Sequence, residues 1–136
     1  MADGQRLSEE EYKALANFRY TLRQFMAFTE AEVAGSGLTP QQHQALLAIR
    51  TCDAPEATVG YVAERLLLKP HSATGLIDRM VASGLVERSP SAVDGRAWAL
   101  RLTSRAHGLL DILSEAHRDE IRRVRPLLID IMQQIR

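Results

Sequence analysis

The chain has 136 residues, 46% of them hydrophobic and 25% charged, which suits a single domain, 1–136, with a substantial core. Seventeen basic and seventeen acidic residues cancel, which taken alone argues against a polyanionic partner, and one cysteine excludes an internal disulfide framework. MADGQRLSEEEY lacks the apolar centre of a signal peptide and no apolar run reaches membrane-spanning length, so the expectation is a soluble, cytoplasmic protein without a membrane partner.

Ser8 and Glu11 stand at capping-box spacing, with Leu7 and Tyr12 placed for a hydrophobic staple. Behind them Leu15, Phe18, Leu22, Phe25 and Val33 predict a long helix over about 8–34, closed by Gly35-Ser36-Gly37. Thr39-Pro40-Gln41-Gln42 restarts a helix with a cap, a proline at the first position and a second capping box. It turns Ala45, Leu46 and Ile49 inward and stops near Cys52-Asp53-Ala54-Pro55. Thr58 then caps a short helix whose apolar stripe is Val59, Val62, Ala63, Leu66 and Leu67.

After Leu68-Lys69, Pro70 opens a further helix with the stripe Ala73, Leu76, Ile77, Met80 and Val81, ended by Gly84. Two short helices joined by a tight turn predict a helix-turn-helix. Leu85–Arg88 and Ala97–Leu102 read as strands around the turn-forming run Ser89–Arg96, so the whole predicts a winged helix. Leu109, Leu110, Ile112 and Leu113 continue a helix, and Pro126 is read as opening a separate last one, since a proline inside a helix breaks its ladder. The fold class expected is mainly α, in the order α-α-α-α-β-β-α-α.

The local charge qualifies the neutral total. Residues 58–105 carry seven basic against four acidic side chains, and the remainder carries ten against thirteen. The predicted helix-turn-helix is therefore the basic part of the chain, as a phosphate-binding face requires. Its second helix has an outer face reduced to small polar groups: His71, Ser72, Thr74, Gly75, Asp78 and Arg79 lie off the buried stripe. Gly75 costs roughly 1 kcal/mol against Ala in a helix. A helix that enters a major groove has use for short hydrogen-bonding side chains and little bulk, whereas a merely solvated helix needs neither. Ser72 and Thr74 suit bases or phosphates, and Lys69 or Arg79 suits phosphate.

The run TVGYVAERLLLKPHSATGLIDRMVASGLVERSPSAVDGRAWALRLTSRAHGLL resembles the core of the MarR family of bacterial regulators. The shared elements are AER-L, GL-DR-V-GLVER, the Asp94-x-Arg96 pair at the wing tip and the Leu-Thr that opens the next helix; GLTPQQHQALLAI resembles the family's second helix. The resemblance implies a DNA-binding winged helix over about 38–103, and a homodimer interlocked through helices at about 8–34 and 104–136. It implies a pseudo-palindromic double-stranded DNA site, Arg96 in the minor groove oriented by Asp94, and Arg79 and Arg88 near the DNA backbone. The wing departs from the family pattern in lacking a Lys/Arg-rich patch, since Gly95 and Ala97 flank Arg96.

The expected function is a sequence-specific transcriptional regulator, a repressor released by a small ligand; the alternative is a winged helix used only for protein contacts. A small aromatic or phenolic effector is allowed by the resemblance, with Phe18, Phe25, Phe28, Tyr61 and Trp98 as lining, although core packing is the commoner fate of such residues. The four histidines are scattered, so no metal site is expected; Cys52 reads as an incidental thiol. No nucleophile–base pair or glycine-rich phosphate loop is present, which argues against an enzyme, and no cofactor is expected. The apolar residues of the terminal helices, including Leu127, Leu128, Ile129, Ile131, Met132 and Ile135, exceed what one small lobe hides and favour an interface.

Overall fold

A computed structural model describes residues 6–136 as five helices and one two-stranded antiparallel sheet. The order is α1 (Glu9–Gly35), α2 (Pro40–Arg50), α3 (Val59–Leu66), α4 (Pro70–Ala82), β1 (Val86–Pro90), β2 (Trp98–Leu102) and α5 (Ser104–Gln133). Residues 33–114 form one compact unit; residues 6–32 with 115–136 form another. None of the described helices is long and apolar enough to cross a membrane.

Local chemistry sets the boundaries. Ser8 Oγ accepts from the Glu11 N–H at 3.1 Å, and Glu11 Oε1 accepts from the Ser8 N–H at 3.2 Å, which closes the expected capping box. The Ser8 N–H is the leading cause that holds the Glu11 carboxyl below its ordinary value, followed by the Arg136 N–H on its other oxygen. Thr39 and Gln42 close the second box, at 3.1 and 3.0 Å. Thr58 caps α3 and Thr103 caps α5, each accepting an orphan N–H of the first turn.

Within 33–114, the core joins Leu46 and Ile49 of α2, Val62 of α3, Leu76, Ile77 and Met80 of α4, Leu85, Val86, Leu100, and Leu110 and Leu113 of α5. Burying Leu76, Ile77 and Met80 contributes about 1.5–3 kcal/mol each, which outweighs the roughly 1 kcal/mol that Gly75 costs α4. The sheet pairs Val86 with Leu102 and Pro90 with Trp98. β1 therefore runs two residues further than the sequence suggested; as one of only two strands it has a free edge, where a proline is tolerated. Ala57 adds a third, one-residue rung to β2, its carbonyl accepting from the Leu100 N–H at 2.8 Å.

Two expectations need correction. Leu67 is not on the buried stripe of α3: it sits past the helix end in left-handed backbone (φ 56°) and is 92% exposed. Pro126 does not open a new helix; α5 runs through it. Val124 and Ile131, both buried and seven residues apart on one face, hold the helix together across the lost hydrogen bond. The long first helix forms as expected; its buried positions are Ala14, Thr21, Thr29 and Val33, while Leu15, Phe18 and Leu22 of its apolar stripe are exposed. In the unit formed by the chain's two ends, His117 and Glu120 are buried as well. Burial lowers the His117 imidazole from its ordinary value, against the opposing pull of the Glu32 carboxylate.

Candidate nucleic-acid interface

The helix-turn-helix closes with the same device at both ends of α4. After α3, Leu67 N–H bonds the Glu64 carbonyl at 3.3 Å and Leu68 N–H bonds the Ala63 carbonyl at 2.9 Å. After α4, Gly84 N–H bonds the Val81 carbonyl at 3.1 Å and Leu85 N–H bonds the Met80 carbonyl at 2.9 Å. Both are Schellman motifs, one built on a leucine and one on a glycine (φ 72°). The end of α4 is also gripped from the start of α5: Thr103 Oγ1 donates to the Gly84 carbonyl at 2.7 Å and Arg105 Nη1 to the Ser83 carbonyl at 2.6 Å.

α4 begins with Lys69 as an extended N-cap residue that makes no side-chain cap, followed by Pro70. Lys69, His71, Ser72, Thr74 and Arg79 are exposed on its outer side and Gly75 is half-exposed, opposite the buried Ala73, Leu76, Ile77 and Met80. Thr74 spends its hydroxyl proton on the Pro70 carbonyl at 3.0 Å, so its outward chemistry is a methyl group and an acceptor oxygen. Gly75 has a local role that its sequence position did not reveal. A β-carbon there would lie 3.3 Å from Arg79 Nη1, so the guanidinium folds back one turn over the glycine. Arg88 pairs with Asp78 of α4 at 2.7 Å, which brings this β1 residue to the outer side of α4.

The wing is the segment between β1 and β2. Its neck closes through Ser91 N–H to the Ala97 carbonyl at 3.1 Å, and its tip is a turn in which Ala97 N–H bonds the Asp94 carbonyl at 3.0 Å. Asp94 meets Arg96 at the backbone: Oδ1 accepts from the Arg96 N–H at 3.0 Å. Among the described residues no ion pair joins their side chains; the carboxylate shapes the turn and leaves the exposed guanidinium projecting from it. Sequence reading passed over Glu56. Its carboxylate accepts from the Ser91 hydroxyl and, at 2.8 Å, from the Ala92 N–H, so the loop before α3 is tied to the base of the wing. The pairing spans 35 residues, and a glutamate beside a proline carries no local signal for it.

An open cleft of about 560 Å3 lies between the start of α3 and the wing, with Glu56, Val59, Asp94, Arg96 and Trp98 among its walls. Cys52 is half-buried and its thiol faces the Glu56 carbonyl at 3.6 Å. No group of three His, Cys, Asp or Glu side chains among the described residues is arranged to hold a metal ion.

The sequence profile of the MarR family matches residues 36–97. No curated protein matches the chain in sequence. Among solved structures, a MarR family protein from Bacillus stearothermophilus is similar at 22% identity and a TM-score of 0.73, over 88% of this chain and 83% of that one. AbsC, a MarR family transcriptional regulator from Streptomyces coelicolor, is similar at 19% identity and a TM-score of 0.72, over 88% and 80%. The S. aureus MepR–DNA complex is similar at 16% identity and a TM-score of 0.69, over 82% and 81%. Residues 36–97 are thus similar in sequence to the MarR family, and the chain adopts the fold seen in MarR-family transcription regulators.

Proposed function

We propose that the chain is a sequence-specific DNA-binding transcriptional regulator. The observation that carries this reading is the pairing of a helix with a small polar outer face, α4, and a hairpin that presents Arg96 at its tip. α4 would enter a major groove, with Ser72 and Thr74 toward base edges and Lys69, His71, Arg79 and Arg88 toward phosphates. Arg96 would enter the adjacent minor groove, where a narrow groove concentrates negative potential on a guanidinium. The similarity of the fold to MepR, which has been crystallised with DNA, supports the reading. The regulator acts as a homodimer on a pseudo-palindrome, in the cytoplasm where its DNA is. We infer further that it represses, and that a small aromatic or phenolic effector releases it, as the family resemblance implies.

The test is a titration of DNA from upstream of the protein's own gene, with Arg96→Ala in parallel. Tight, salt-sensitive binding is expected, weakened at least about tenfold by the substitution, or roughly 1.4 kcal/mol. Equal affinity in the well-folded variant removes the wing from the mechanism. A second reading, a winged helix for protein contacts, has one observation in its favour: Leu67 and Val93, 92% and 76% exposed, put apolar side chains on the turn and the wing. Failure of the protein to prefer any DNA sequence would select it.

A further inference from the structure

The Glu56 carboxylate, the Ser91 hydroxyl and Asp94, through its N–H on one side and its carboxylate on the other, link in series to the backbone of Arg96. Glu56 accepts from Ser91 Oγ and from the Ala92 N–H at 2.8 Å. The same Ser91 oxygen accepts from the Val93 N–H at 3.1 Å and from the Asp94 N–H at 2.9 Å. Asp94 Oδ1 then accepts from the Arg96 N–H at 3.0 Å. A serine hydroxyl offers one proton and two lone pairs, and here all three are used. Four of the six backbone N–H groups from Ser91 to Arg96 are bound by side chains, and among the described residues the one such side chain from outside the loop is Glu56, which stands just before Ala57, the residue bridged to β2. The wing tip is therefore referenced to the floor of the helix-turn-helix.

We propose that Glu56 is a positioning residue for DNA binding: it fixes the wing loop through Ser91 and so presents Arg96 in its binding conformation. This rests on the DNA-binding reading above. The sign of the effect is what makes it testable. Glu56 and Arg96 line the same cleft, so the carboxylate stands close to where phosphates would come. On Coulomb grounds alone, removing a negative charge there tightens DNA binding and raises its salt sensitivity. Positioning requires the opposite, because a loosened wing must be ordered again on the DNA before Arg96 makes its contact.

The experiment uses the full chain with Glu56→Ala and the milder Glu56→Gln, which keeps the side-chain shape but loses one of the two acceptor oxygens. In protein without DNA, amide hydrogen exchange at Ala92, Val93, Asp94 and Arg96 is expected to accelerate at least about tenfold in Glu56→Ala, with core amides of α4 unchanged. Binding to the DNA recognised by the wild type is expected to weaken about tenfold in Glu56→Ala and by less in Glu56→Gln. In an Arg96→Ala background the same Glu56 substitutions should change affinity less than twofold, a coupling that a general loss of stability would not produce. Unchanged exchange in the loop, tighter binding by either variant, or an equal loss in both backgrounds overturns the proposal. Wild-type protein that binds no DNA sequence selectively overturns the functional reading itself, a result distinct from selective binding that ignores Glu56.

Discussion

Gly75 shows how a residue can be noticed in sequence and explained only in three dimensions. Its cost in a helix marked the outer face of α4 as shaped for something, but the pattern could not say that Arg79 folds back over it. Two effects compete in Gly75→Ala. Helix propensity gains roughly 1 kcal/mol, while the new methyl meets Arg79 Nη1 at 3.3 Å, a contact with the far end of a flexible side chain that yields cheaply. Propensity wins, so the variant is expected to be more stable by about 0.5–1 kcal/mol, read by urea denaturation. The displaced guanidinium and the added bulk should nonetheless weaken DNA binding several-fold. A destabilised variant would mean that Arg79 is held rigidly over the glycine; unchanged DNA affinity would place this part of α4 outside the interface. Legibility at this scale tracked sequence distance. Ser8–Glu11 and Thr39–Gln42, three residues apart, were readable from spacing, whereas Arg88–Asp78 and Glu56–Ser91 arise only once the sheet is folded.

At the scale of elements, the readable quantity was periodicity and the unreadable one was what each helix end does. The inward stripe of α4 was predicted almost residue for residue because Ala73, Leu76, Ile77 and Met80 repeat at helical spacing against a single core. Leu67 broke the same rule one turn earlier: it continues the apolar period of α3 but falls where the chain must turn left-handed to start α4. A non-glycine residue there costs roughly 1–2 kcal/mol. The leucine side chain, being 92% exposed, recovers little by burial. Gly84 fills the equivalent place after α4 at no such cost. Leu67→Gly is therefore expected to stabilise the fold by about 0.5–1 kcal/mol, the strain relieved less the extra backbone entropy of glycine in the unfolded chain. Thermal unfolding reads it as a higher Tm. A lower Tm would show that the leucine makes a contact worth more than the strain. Pro126 is the converse case: local chemistry forbade a helix through it, and burial of Val124 and Ile131 on either side overrode that local preference.

For the whole molecule, the decisive feature is apolar surface left over. Tyr20, Met132 and Ile121 are 58%, 64% and 52% exposed, and Leu15, Phe18, Leu22, Leu127 and Ile129 are exposed with them, all in the unit built from the two chain ends. Isolated exposed apolar residues are ordinary, but a concentration of large ones on two long helices is what an interface looks like before its partner arrives. The sequence indicated that excess by count, though it assigned part of it to the core. On the proposed reading, one α4 would contact only a few base pairs, whereas a two-fold pair of such helices would span half-sites about one turn of DNA apart, ~34–36 Å. Ultracentrifugation is accordingly expected to show a dimer at micromolar concentration. Cutting the chain before Pro126 removes Leu127, Ile129, Ile131, Met132 and Ile135 and leaves the 58–103 sequence untouched. That variant should be monomeric or aggregated and should lose tight binding to a palindromic site, while wild-type protein on a single half-site should bind at least about a hundredfold more weakly than on the full palindrome, because the second set of contacts is lost. Tight, one-to-one binding of the palindrome by a monomeric truncated chain would separate DNA recognition from the apolar helices and leave their exposed faces to some other partner.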